Sequence, residues 1–125
     1  MSLQKVLIVG GGIGGTAILK LLLSAEFFEV EAIIDINKHA LALEIAREHQ
    51  IKTDDDWRKY INNDIHIIFD LTGQTEVYQA ILKAKPERVV LIPGGVANML
   101  VRLLNEKDSL IQLTKEHSYQ QQLIF

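Results

Sequence analysis

The feature that most constrains the fold is a glycine run set between two different hydrophobic periods. Val6-Leu7-Ile8-Val9 is continuously apolar, and from Ile13 to Leu23 the apolar residues fall at Ile13, Ala17, Ile18, Leu21 and Leu22, close to a helical repeat. At their junction stands Gly10-Gly11-Gly12-Ile13-Gly14-Gly15. A short, continuously apolar run suits a strand covered on both faces, as in a parallel sheet. A strand, a glycine turn and a helix in that order form the opening of a β-α unit.

The rest of the chain repeats this alternation. Phe28 to Ile34 reads as a second strand, after which Asn37 is placed to cap a helix reaching about His49, with Leu41, Ile45 and Ala46 inward. Ile51-Lys52 has room only for a very short strand. Thr53 and Asp56 have the spacing of a capping box, ahead of a short helix with Trp57, Tyr60 and Ile61 on its buried side. Ile65 to Phe69 is a fourth strand, Asp70-Leu71-Thr72-Gly73 its turn, and the next helix carries Val77, Tyr78, Ile81 and Leu82 on one face, with Pro86 past its end. Val89 to Ile92 is the fifth strand, and Pro93-Gly94-Gly95 turns the chain into a long helix from near Val96.

Strict alternation with short connections, joined by right-handed crossovers, leaves few topologies. The expectation is an α/β, Rossmann-like parallel sheet of five main strands in the order 3-2-1-4-5, with helices on both faces. At 125 residues the chain has room for one core, so a single domain over residues 1–116 is expected, with 117–125 as a tail or a linker to a further domain.

Composition narrows the function classes. A net charge of −3 with scattered Lys and Arg gives no basic surface for nucleic acid. The absence of cysteine removes disulfides, thiolate metal sites and a cysteine nucleophile. No apolar stretch reaches the length of about 18 residues that a membrane helix needs, and the first apolar run is too short for a signal peptide, so a cytoplasmic protein is expected. His39, His49, His66 and His117 lack metal-ligand spacing, and Asp54-Asp55-Asp56 reads as the acidic first turn of a helix, so no metal site is assigned. No serine, histidine and acid set is recognisable, and no catalytic residue is assigned.

Within the glycine run, Gly10, Gly12 and Gly15 fit the G-x-G-x-x-G pattern of a dinucleotide-binding turn. Gly10 permits the tight turn, Gly12 admits a pyrophosphate to the backbone, and Gly15 lets helix and sheet approach closely. Asp35 follows Gly15 by twenty residues at the end of the second strand, where a carboxylate accepts both hydroxyls of an adenosine ribose and repels a 2'-phosphate. The expected cofactor-binding residues are Gly10, Gly12, Ile13, Gly14, Gly15, Asp35, Ile36, Thr72 and Gly73, the last two flanking ribose or nicotinamide at the switch point of the sheet. NAD(H) is the expected ligand and NADP(H) is disfavoured by Asp35. Gly10, Gly12 and Gly14 also fit the G-x-G-x-G spacing of S-adenosylmethionine-dependent methyltransferases, whose final antiparallel hairpin is not evident in this sequence. FAD needs more chain to enclose its ring system.

Lys5 to Gly15, then Ala32-Ile33-Ile34-Asp35-Ile36-Asn37 and Asp64 to Gly73, resemble the N-terminal nicotinamide-binding domains of the glucose-fructose oxidoreductase and inositol dehydrogenase family over roughly residues 4 to 100. The resemblance implies cofactor contacts for Gly10, Gly12, Gly15 and Asp35. That family usually carries Glu-Lys-Pro after its fifth strand, whereas this chain has Leu91-Ile92-Pro93-Gly94-Gly95. The pattern is also similar to Rossmann domains at the N-terminus of bacterial sensor kinases and related regulators, where a signalling helix follows.

Met99, Leu103, Leu110 and Leu113 have heptad spacing compatible with either a last crossover helix or the start of a coiled coil. The expectation is therefore an NAD(H)-binding sensor or regulatory module, partnered by a second copy or by a following signalling or substrate domain. The alternatives are the cofactor-binding half of a dehydrogenase and a nucleotide-free dimerisation scaffold.

Overall fold

The central strand of this chain is covered on both faces. In the computed structural model, which describes residues 3–62 and 64–107, β1 (Gln4–Val9) sends Val6 and Ile8 to one side and Leu7 and Val9 to the other, and all four are buried. Two helical layers are needed to cover such a strand.

The layers follow from the chain order. α1 (Ile13–Leu23), α2 (Leu41–Glu48) and a last helix, α4 (residues 94–107), cover the face of Val6 and Ile8 through Ile18, Leu19, Leu43, Ala46 and Ala97. α3 (Thr75–Ala84) and a short 3-10 turn (Trp57–Lys59) cover the other face through Ile81 and Trp57, which pack with Leu7, Val9, Ala32 and Ile68. The remaining strands are β2 (Phe28–Ile34), β3 (Lys52–Asp54), β4 (Ile67–Asp70) and β5 (Val90–Pro93). All pair in parallel in the order β3-β2-β1-β4-β5, as the alternation of elements requires. The chain is thus an α/β domain with a five-stranded parallel sheet, and the carboxyl ends of β1, β2 and β4 lie side by side.

Four local expectations are corrected. Asn37 does not cap α2: its Oδ1 accepts from the His39 N–H, and the helix starts at Leu41 behind Ala40. Leu41 is accordingly exposed, and Ala42, Leu43 and Ala46 form the buried side. The capping box also fails, because Thr53 pairs with Ile33 inside β3 and leaves Asp56 alone to accept from the Arg58 N–H. Finally, α4 begins at residue 94, two residues earlier than its apolar pattern suggests. Leu110, Leu113 and the tail at 117–125 lie outside the described residues. No helix among the described residues is long and apolar enough to cross a membrane.

Among the described residues, one buried side-chain polar atom is unpaired. Thr16, in the first turn of α1, is 6% exposed, and its Oγ1 has no hydrogen-bond partner among the described residues. A desolvated hydroxyl without a partner is a net cost. Thr16→Val keeps the shape and removes that cost, so the thermal midpoint should rise by the equivalent of about 1 kcal/mol; a lower midpoint would show that the hydroxyl is satisfied.

Candidate functional site

The turn after β1 is shaped by three glycines for three different reasons. Gly10 has φ of +107°, and a Cβ there would lie 2.8 Å from the Leu71 carbonyl carbon. Its N–H donates to the Ile34 carbonyl at 2.7 Å, while the Leu71 N–H donates to the Val9 carbonyl at 2.7 Å, tying together the ends of β1, β2 and β4. Gly15 packs against the turn so closely that a Cβ would fall on the Gly10 carbonyl oxygen. Gly12, at the head of α1, is the opposite case: among the described residues, nothing beyond its chain neighbours and its own helix's backbone lies within 4 Å of where its Cβ would be. The motif therefore combines two crowded glycines that set the backbone with one that faces an open cradle at a helix N-terminus, an arrangement suited to a phosphate.

Asp35 is bound into the same turn. Its Oδ2 accepts from the Gly11 N–H at 2.7 Å and its Oδ1 from the Asn37 N–H at 2.8 Å, and its own N–H donates to the Asp54 carbonyl at 3.0 Å. Each carboxylate oxygen has a second acceptor position. The group is thus oriented by backbone and retains capacity for two hydroxyl donors, the requirement for holding a ribose diol.

A cavity of about 550 Å³ opens between these elements. Gly10, Gly12, Asp35 and Ile36 line it from the glycine turn and the end of β2, Leu71 and Thr72 from the turn after β4, and Trp57, Arg58 and the α3 residues Val77 and Ala80 supply much of the rest, its outer wall. The size lies within the range of small-molecule sites. A second cavity of about 440 Å³ adjoins it, sharing Leu71 and Gln74, and reaches Gly14, Gly73, Tyr78, Pro93 at the end of β5 and Gly94-Gly95 at the start of α4. Asp70 lies at its wall, 4% exposed, with Oδ1 accepting from the Thr72 N–H at 3.1 Å and from the Thr72 hydroxyl at 2.7 Å.

The residues singled out in the sequence thus divide between two lobes. Gly10, Gly12, Asp35, Ile36 and Thr72 line the first, and Gly14 and Gly73 the second. Gly15 is buried behind the turn, and Ile13, 91% exposed, lines neither. Sequence reasoning missed Gly11, whose N–H orients Asp35, and the whole outer wall. Trp57 was assigned to the core, where it is, yet it also borders the cavity. The available signal was Asp56-Trp57-Arg58, a capping acid followed by a residue pair that can stack.

That outer wall is braced by Asp54. The Asp55 N–H beside it, and then the Tyr60 hydroxyl at 3.0 Å and the Lys59 ammonium at 3.2 Å, outweigh desolvation and hold its carboxyl below its ordinary 3.8, at about 2. The same contacts raise Lys59, and burial raises Tyr60 with help from Asp54. A carboxylate depressed in the folded state stabilises it above its unfolded value and ceases to do so as pH falls through the folded one. Wild type should therefore melt above Asp54→Asn at pH 7, with the gap closing as pH drops from about 4 towards 2. A gap independent of pH would rule out the charged role.

The chain matches no family model and no curated protein significantly.

Proposed function

We propose that this chain is an NAD(H)-binding module that senses or regulates, holding a dinucleotide without turning it over. One observation carries the reading: the open cradle at Gly12 and the backbone-oriented Asp35 border a single cavity. Gly10, Gly12 and the first amides of α1 would hold the pyrophosphate, and Asp35 the adenosine ribose. Ile36 would flank that ribose, and Thr72, Gly73 and Gly14 the nicotinamide half. The carboxylate of Asp35 disfavours the 2'-phosphate of NADP(H). When bound, the nicotinamide supplies a redox-dependent group whose charge differs between its two forms.

The regulatory part of the reading draws on α4. Its first turn, Gly94-Gly95, borders the second cavity, and farther along it exposes Val96, Met99, Leu100, Leu103 and Leu104. A ligand in that lobe touches the root of a helix whose apolar side suits a second copy or a following domain.

A second reading is the cofactor-binding half of a dehydrogenase. It is favoured by the ionisable Asp70 and Tyr78 at the second cavity, beside the expected nicotinamide position.

Calorimetry with NAD+, NADH, NADP+ and S-adenosylmethionine separates these ideas. Binding of NAD+ or NADH without turnover is expected; no affinity for any of the four would overturn both readings and leave a dimerisation scaffold. Preference for NADP+ would overturn the role of Asp35.

A further inference from the structure

The outer wall of the first cavity holds one guanidinium in an unusual setting. Arg58 lies over the Trp57 ring, 4.5 Å from its centroid, while its Nη1 sits 3.5 Å from the Asp56 carboxylate. The Asp56 Oδ1 also accepts from the Arg58 N–H at 3.0 Å, so the same acid fixes the residue's backbone and its side chain. Trp57 is itself buried and cannot give way. The arginine is nonetheless 66% exposed in its side chain and borders the cavity.

Two kinds of ligand group meet an arginine at such a place, a phosphate or a flat ring. The surroundings favour the ring. Among the described residues, the cavity lining contains Asp35, Asp55, Asp56 and Glu76 against the single cation Arg58, whose charge is already met by Asp56. A 2'-phosphate would enter a site of net negative charge. What Arg58 still offers is its flat guanidinium, set over the indole and exposed at the cavity lining. Guanidinium planes stack on aromatic rings, and more strongly when one side is already supported and desolvated.

We infer that Arg58, supported by Trp57 and tethered by Asp56, is the platform on which the adenine of the bound dinucleotide stacks. The inference rests on the dinucleotide reading and deepens it: Asp35 recognises the ribose, Arg58 the purine, and the Gly12 cradle the phosphates. Discrimination in favour of adenosine-containing ligands then comes from a residue in the turn after β3, outside the glycine motif.

The test measures affinities of wild type, Arg58→Ala and Arg58→Lys for NADH, NADPH, ADP-ribose and reduced nicotinamide mononucleotide. Arg58→Ala should weaken NADH and ADP-ribose about tenfold, and leave the mononucleotide, which has no adenine, unchanged. Arg58→Lys keeps the charge and loses the plane, so it should lose most of the same affinity. The side chain is exposed and its backbone N–H remains, so both variants should melt with wild type. Wild-type binding with an unaltered Arg58→Ala affinity would overturn the inference alone, as would full rescue by lysine or a larger loss for NADPH than for NADH. A wild type that binds no dinucleotide would take the parent reading down with it.

Discussion

Gly15→Ala is expected to cost the fold about 3 kcal/mol, although it adds a single methyl group to a residue in a helix, where alanine is ordinarily preferred. The added Cβ would fall on the Gly10 carbonyl oxygen. That neighbour is backbone, held by the Gly10 N–H bond to Ile34 and by a φ of +107°, and it cannot swing aside as a side chain would. Relief requires α1 to lift from β1, which parts Ile18 and Leu19 from Val6 and Ile8 in one continuous core. Interiors packed at crystal-like density do not absorb such a shift cheaply. Urea denaturation followed by circular dichroism reads the loss as a lower midpoint at unchanged slope. An unchanged midpoint would mean that helix and turn can separate without cost.

Gly12→Val should do the reverse, abolishing NADH binding while leaving the fold near wild-type stability. Gly12 has φ of −79°, and among the described residues no atom beyond its chain neighbours and its own helix's backbone lies within 4 Å of its Cβ position. The valine's Cβ therefore meets no neighbour, but its methyl groups occupy the space through which a pyrophosphate would reach the first amides of α1. Calorimetry should detect no NADH binding at concentrations that saturate wild type, and thermal melts of the two proteins should coincide. Retained affinity would show that the glycine run is only a turn. The two substitutions together separate what the motif does for architecture from what it does for a ligand, at positions three residues apart around the start of α1.

Much of this was legible without coordinates. The continuous apolar runs and the glycine turn specify a parallel, doubly covered sheet, because a strand without a polar face has nowhere else to go. The bounds of α1 follow from its own periodicity, from Ile13 to Leu23. Where local signals compete with tertiary contacts, the reading failed. Asn37 is a good cap in isolation, but the start of α2 is set by the Ala42 N–H donating to the Gly11 carbonyl at 3.0 Å, a contact across the glycine turn. Thr53 and Asp56 have capping-box spacing, yet pairing with Ile33 draws Thr53 into the sheet.

The sequence by itself thus determined the class of fold, the strand order and the pairing of a glycine turn with Asp35, since these depend on period, spacing and backbone freedom. Only the tertiary structure decided which glycine is crowded and which is open, that Gly11 orients the acid, and that Trp57 and Arg58 close the cavity. Those features arise between segments brought together by sheet pairing, as when β3 beside β2 carries the turn at residues 57–59 to the rim near Asp35. No local pattern encodes a distance between two such segments, because that distance is set by how the whole core packs.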